Sequence, residues 1–149
     1  MREQIMASLK DAMKAGDKLK VETLRMVTSA LKNRDIELRA EGKTVSAEEE
    51  LALLQKLVKS RGESLDMYEK AGRQDLADKE KAEIAIIKAF LPEELGPAET
   101  EAAIKAAIAE TGAASMKDMG KVIAALRAKY TGRMDFAKVS GLVKAALAG

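Results

Sequence analysis

The sequence predicts an all-α protein, and three observations carry that expectation. Apolar residues recur at steps of three and four through most of the chain. Only two prolines interrupt it, and Ala, Leu, Lys and Glu are abundant while β-branched runs are few. Aromatic residues make up 3 %, with no Trp, so a core must be built from Leu, Ile, Val, Ala and Met, which suits helices packed closely through small side chains. With 149 residues, 47 % of them hydrophobic, the chain suffices for one ordinary domain or two small ones.

The elements follow in order. Residues 2–15 place Ile5, Met6, Leu9 and Met13 on one face, and Gly16-Asp17 breaks the pattern. From 17 to about 40, Leu24, Val27, Leu31 and Leu38 keep a helical stripe that ends at Glu41-Gly42. Ser46-Ala47-Glu48-Glu49 is a capping box, and it opens a third helix marked by Leu51, Leu54, Val58, Leu65 and Tyr68. Two long helices joined by a short turn predict an antiparallel hairpin. Lys18, Arg25, Lys32 and Arg39 recur every seven positions beside the apolar seam. They read as a solvated flank whose long stems cover an interface edge, with a ligand-binding stripe as the alternative. Arg61 occupies a seam position, and a structural ion pair with Glu22 across the hairpin is expected.

Residues 71–75 break the third helix, and a fourth is expected over 75–91. Leu76, Ile84, Ile86, Ile87, Phe90 and Leu91 give it a wide apolar arc, more than one neighbour requires, so burial between two bodies is expected. Pro92 and Pro97 then stop it, because each disfavours helix in the residue before it. The division is therefore an N-terminal helical hairpin unit, 1–94, and a C-terminal three-helix domain, 95–149. Pro97 suits the first position of a fifth helix, which buries Thr100, Ile104, Ala107 and Ile108 and stops at Gly112. In a sixth, capped by Ser115 with Asp118 as the box acid, Met119, Val122, Ile123, Leu126 and Tyr130 face inward, and Gly132 ends it. A seventh buries Phe136, Val139, Val143 and Leu147.

Composition limits the chemistry. Without Cys there are no disulfides or thiolate sites, and without His the commonest neutral metal ligand and the usual general base near pH 7 are missing. No phosphate-binding glycine loop, dinucleotide fingerprint or nucleophile elbow is present. Glu48-Glu49-Glu50 reads as an acidic helix start, and no Lys or Ser has an evident activating partner, so no catalytic residue, metal or cofactor is expected. The longest apolar run, 85–91, is interrupted by Lys88 and is too short for a bilayer, and residues 1–20 are charged throughout, so a cytoplasmic location is expected. Net charge is only +2, yet the stretch 116–144 holds seven Lys or Arg against two Asp. The outer faces of its helices show Lys117, Lys121, Ala124 and Ala128, then Lys138, Gly141 and Ala145: a basic surface of low relief that lets a phosphate backbone come close.

Ala71-Gly72-Arg73-x-Asp75-Leu76-Ala77, Leu91-Pro92-x-x-Leu95, Asp118-Met119-Gly120-Lys121-Val122 and Gly132-Arg133-x-Asp135 together resemble the YqeY-like family over essentially the whole chain. The C-terminal part is similar to the tail domain of the B subunit of aspartyl/glutamyl-tRNA amidotransferase and to a domain appended to some bacterial glutaminyl-tRNA synthetases. The resemblance implies a tail that helps hold tRNA while activation and glutamine hydrolysis occur in other domains and subunits. Neither catalytic unit is present here, so a carbon-nitrogen ligase label with glutamine as amide donor attaches by association. A non-catalytic accessory protein for tRNA or another structured RNA is expected, bound through Lys117, Lys121, Arg133, Lys138 and Lys144. A protein-protein adaptor using the hairpin is the alternative, and an apolar strip left exposed on the hairpin is the feature that would favour it.

Overall fold

The computed structural model describes residues 1–148. Seven helices follow one another: α1 (Arg2–Ala15), α2 (Lys18–Ala40), α3 (Ala47–Lys70), α4 (Gln74–Lys88), α5 (Pro97–Thr111), α6 (Met119–Tyr130) and α7 (Phe136–Ala148), with a 3-10 turn, Met116–Asp118, leading into α6. No strand occurs among the described residues, so the protein is all-α. The chain divides into two compact units, Met1–Pro92 and Glu93–Gly149.

In the N-terminal unit the helix ends are set locally. Gly16 adopts φ 70° and lets its own and the next amide return to the carbonyls of Met13 and Ala12, which closes α1. Asp17 then caps α2 by accepting from the Lys20 amide at 3.2 Å, and Ser46 caps α3 by accepting from the Glu49 amide at 3.1 Å. The inward face of α2 carries the core: Leu24, Val27 and Leu31 are buried against Ile5 and Leu9 of α1, Leu54 of α3 and Ile87 of α4. Helix α2 touches all three of the other helices, and α3 packs along α4 most extensively.

That side-by-side pairing changes the fate of Arg61. Its guanidinium donates to Glu83 of α4 at 3.0 Å and to the Leu57 carbonyl at 3.4 Å, so its partner is Glu83 and not Glu22. The apolar arc of α4 is likewise accounted for within the unit: Ile86, Phe90 and Leu91 pack around the core that buries Ile87. Helix α4 ends at Lys88, three residues earlier than the periodicity indicates, and Ala89–Leu91 continue as turns because Pro92 disfavours helix at Leu91. At the opposite end Arg2 joins three helices. It donates both amino groups to Asp35 of α2 at 2.6 and 2.7 Å and its Nε to Glu50 of α3 at 2.8 Å. Those hydrogen bonds hold the Asp35 carboxyl below the usual carboxylate range.

The core arrangement makes one direct prediction. Leu54 is fully buried while Met67, on the same helix, is 70 % exposed. Leu54→Ala should lower unfolding free energy by about 2–5 kcal/mol in urea titrations, and Met67→Ala should stay within about 0.5 kcal/mol of the parent.

Candidate nucleic-acid interface

The C-terminal unit is small. Helix α6 packs against both α5 and α7, and Ala103, Ile104, Ala107, Val122, Leu126, Val139 and Val143 form the core. Met134, in the turn between α6 and α7, is buried among them at 3 % exposure. That turn begins at Gly132, which is buried and has φ 85°, a conformation a side chain would strain. Asp135 closes it by accepting from the Ala137 amide at 3.0 Å at the start of α7.

Arg133 is a clasp within this unit. Its Nε donates to the Glu93 carbonyl at 3.0 Å, while its own carbonyl accepts from the Leu95 amide at 2.9 Å. Segment 93–95 is thus laid against the α6–α7 turn. The start of α6 is built differently from the expected capping box. The Ser115 hydroxyl makes no capping bond to the turn that it precedes, whereas Asp118 accepts from the Ala114 amide at 3.0 Å. The acid half of the motif is used and the hydroxyl half is not, because a 3-10 turn intervenes before the α-helix proper.

The five expected contact residues fall into distinct places. Lys117 is exposed on the 3-10 turn, and Lys121 is exposed on α6 with its ammonium 4.0 Å from Asp118. Lys138 and Lys144 are both exposed on α7, but six residues place them about 120° apart around the helix, on opposite flanks. Lys138 and Arg133 border a groove of about 930 Å³ floored by Leu95, Ile104, Ile108, Val139 and Leu142. Acids share that border: Glu94 stands there beside Glu101, which pairs with Lys105 at 3.3 Å. The groove is therefore apolar with mixed charge at its edge. The Lys117 turn packs against α7 on its own account and is not part of it.

Between these cations the surface is low. Gly120, Ala124 and Ala128 of α6 and Gly141 and Ala145 of α7 are all exposed. A Cβ placed on Gly120 or Gly141 would meet nothing within 4 Å, so internal packing requires neither glycine. Glycine inside a helix costs about 1 kcal/mol relative to alanine, and what it provides here is room at the surface. Two further cations of the unit are committed elsewhere: Lys129 bonds Glu110 at 3.0 Å, tying α6 to α5, and Arg127 lies 5.1 Å from the centre of the Phe136 ring. Among the described residues no group of three acidic side chains is arranged to hold a metal ion. Anion binding is the chemistry these side chains offer.

Helices α2 and α3, expected to form the hairpin, meet over a short stretch only, and the long side-by-side pair is α3 with α4. On α2 and α3 the exposed large apolar residues stand singly, while Met6 and Met13, seven residues apart on α1, are about half exposed. Ile36 is 62 % and Met67 70 % exposed. Arg2 joins Asp35, next to Ile36, with Glu50 at the start of α3, and Met67 lies seventeen residues beyond Glu50, about 25 Å along the helix. They form no continuous strip. No helix of the described residues is long and apolar enough to cross a membrane.

Comparison with known proteins gives one full-length match and several partial ones. The family described as Yqey-like protein matches residues 2–147. Proteins named altered inheritance of mitochondria protein 41, mitochondrial, align over 83 residues, 56 % of this chain: 39 % identical in Lachancea thermotolerans, 37 % in Eremothecium gossypii and 35 % in Saccharomyces cerevisiae. The aligned part covers 43–44 % of those relatives, so the match spans less than half their length.

The backbone amide of Ala114, then that of Ser115, and the charge of Lys121 hold the Asp118 carboxyl below its ordinary range. A carboxyl lowered in this way adds stability that is present above the unfolded-state value and is lost as pH falls through the lowered one. Thermal melts should therefore show a fall in stability below about pH 4, and Asp118→Asn should reduce that fall while lowering stability at neutral pH.

Proposed function

The chain belongs to the Yqey-like protein family, and from that premise we propose that it is a non-catalytic accessory protein that associates with tRNA or another structured RNA through its C-terminal unit. The observation that carries this reading is the pairing of exposed lysines, Lys117, Lys121, Lys138 and Lys144, with exposed helix glycines that packing does not require. Lysines neutralise phosphates without reading bases, and a surface lowered to backbone level at Gly120 and Gly141 lets a bulky sugar-phosphate chain approach closely. Binding of folded RNA by shape needs little more.

Arg133 belongs to this reading in a different capacity. Its Nε is engaged with the Glu93 carbonyl, so it positions the turn and offers only the rest of its guanidinium to a ligand. The link to glutamine-dependent carbon-nitrogen ligation is part of the same proposal and rests on the resemblance to the amidotransferase B-subunit tail. In such a system this chain contributes RNA contacts and other proteins contribute the reaction. The scattered placement of Ile36 and Met67 gives the adaptor reading less support than the RNA reading. A cytoplasmic site of action is proposed with it, and the names of the mitochondrial relatives mark the other compartment to examine.

Fluorescence titration with unfractionated tRNA tests the reading. Replacing Lys117, Lys121, Lys138 and Lys144 together by Gln should weaken binding across RNA sequences alike. Each lost phosphate contact should flatten the log-log salt dependence by about 0.7 to 0.9. Equal affinity of parent and variant at low salt would sink the C-terminal interface.

A further inference from the structure

The outer face of α2 carries a second charged feature that the C-terminal interface does not use. Lys18, Arg25, Lys32 and Arg39 are all exposed. The buried residues of this helix are Thr23, Leu24, Val27, Leu31 and Leu38. Arg25, Lys32 and Arg39 each follow a buried leucine by one residue, about 100° around the helix, and Val27 lies further round still. The four cations therefore face the open side of α2; Lys18 and Arg25 also border the hollow that Met13, Gly16 and Val21 line where α1 meets α2, while Lys32 and Arg39 do not.

Little of their charge is spent inside the protein: Arg39 helps to lower the Asp35 carboxyl without pairing with it. Among the described residues none of the four forms an ion pair, although α2 has acids that could have supplied one. Asp35 is taken by both amino groups of Arg2, and Glu37 by Arg34 at 2.9 Å. Glu22 is the one carboxylate left along the row. The spacing is regular: seven residues advance about 10.5 Å and drift only about 20° around the helix, so the four heads form a nearly straight line roughly 31 Å long.

We propose that this row docks along the sugar-phosphate backbone of a nucleic acid, with the four cations engaging phosphates at intervals along a linear polyanion and not each successive one. The choice of ligand follows from shape. A line one side chain wide matches a strand of phosphates, whereas a membrane surface would reward a broad basic plane with apolar residues inserted beneath it, and here Ile36 is the single exposed large apolar residue of α2. The inference rests on the reading of the chain as an RNA-associated protein and extends its contact surface to the N-terminal unit.

The test uses the full chain, unfractionated tRNA as probe, and vesicles of phosphatidylserine and phosphatidylcholine as the competing surface. The quadruple variant Lys18→Gln, Arg25→Gln, Lys32→Gln, Arg39→Gln changes only exposed helix positions to a residue of similar helix propensity, and circular dichroism checks that it folds. At 0.1 M salt it should lose affinity for tRNA by about five- to eight-fold for each cation engaged, with a correspondingly flatter salt dependence. Glu22→Gln should do the opposite and tighten binding, a gain that damage to the fold would not produce. If tRNA binding disappears in the C-terminal lysine variant but is unchanged in the α2 variant, the α2 surface is overturned and the C-terminal reading stands. If the parent binds no tRNA, both fall. Vesicle binding that is lost in the α2 variant, with tRNA binding unaltered, overturns it in favour of a lipid surface.

Discussion

Burial of the inward face of α2 is the constraint on which the N-terminal unit depends. Leu24 and Val27 are fully buried and Leu31 nearly so, and the side chains that bury them come from three different helices. One helix serves as the common wall, so the unit needs no aromatic centre: aliphatic side chains meeting along α2 exclude water by close packing, and Phe90 and Met26 only fill in around them. The same constraint fixes what α2 shows to solvent. With one side committed to the core, the remaining residues of α2 act by charge: Asp35 is held by Arg2, Arg34 by Glu37, and the row from Lys18 to Arg39 faces solvent.

The C-terminal unit meets the opposite difficulty. Three short helices enclose little volume, and the core is correspondingly supplemented from outside the helices. Met134 enters it from a turn, and Leu95 joins from the segment before α5. Side-chain ties then hold the periphery: the Lys129–Glu110 pair joins α6 to α5, and Arg127 covers the ring of Phe136 at the start of α7. Several of the basic residues that raise the charge of this region thus serve the fold, and the cations left for a ligand are those on the exposed turns of α6 and α7.

What could be read from the sequence was what local chemistry decides. Ser46 caps the helix it precedes, Gly16 and Gly112 end theirs with a left-handed residue, and the periodic residues of α6 and α7 face inward, because each depends on neighbours within a turn or two. What could not be read was pairing over long separations. Arg2 reaches carboxylates 33 and 48 residues away, and Arg61 finds Glu83 because α3 runs along α4, a fact that no spacing encodes. Met134 was invisible for another reason: a buried residue in a turn has no period. Of the expected contact residues, exposure was legible from helical phase for four, while the clasp made by Arg133 depends on a backbone carbonyl forty residues earlier. The α2 row lies one residue from the leucine seam in sequence but about 100° from it around the helix, so its exposure was legible while its neighbours on α1 were not.

The clasp at Arg133 has a mechanical meaning. Two oppositely directed hydrogen bonds, guanidinium to the Glu93 carbonyl and Leu95 amide to the Arg133 carbonyl, lie between the incoming chain and the first turn of α5. Tension applied through residue 92 would load this pair before it reached α5, and the load would pass into the turn at Gly132 and so to the ends of α6 and α7. Helix α5, which has no side-chain cap at Gly96 and begins with a proline, is in this way shielded from unravelling at its weakest end when the chain ahead of it is pulled.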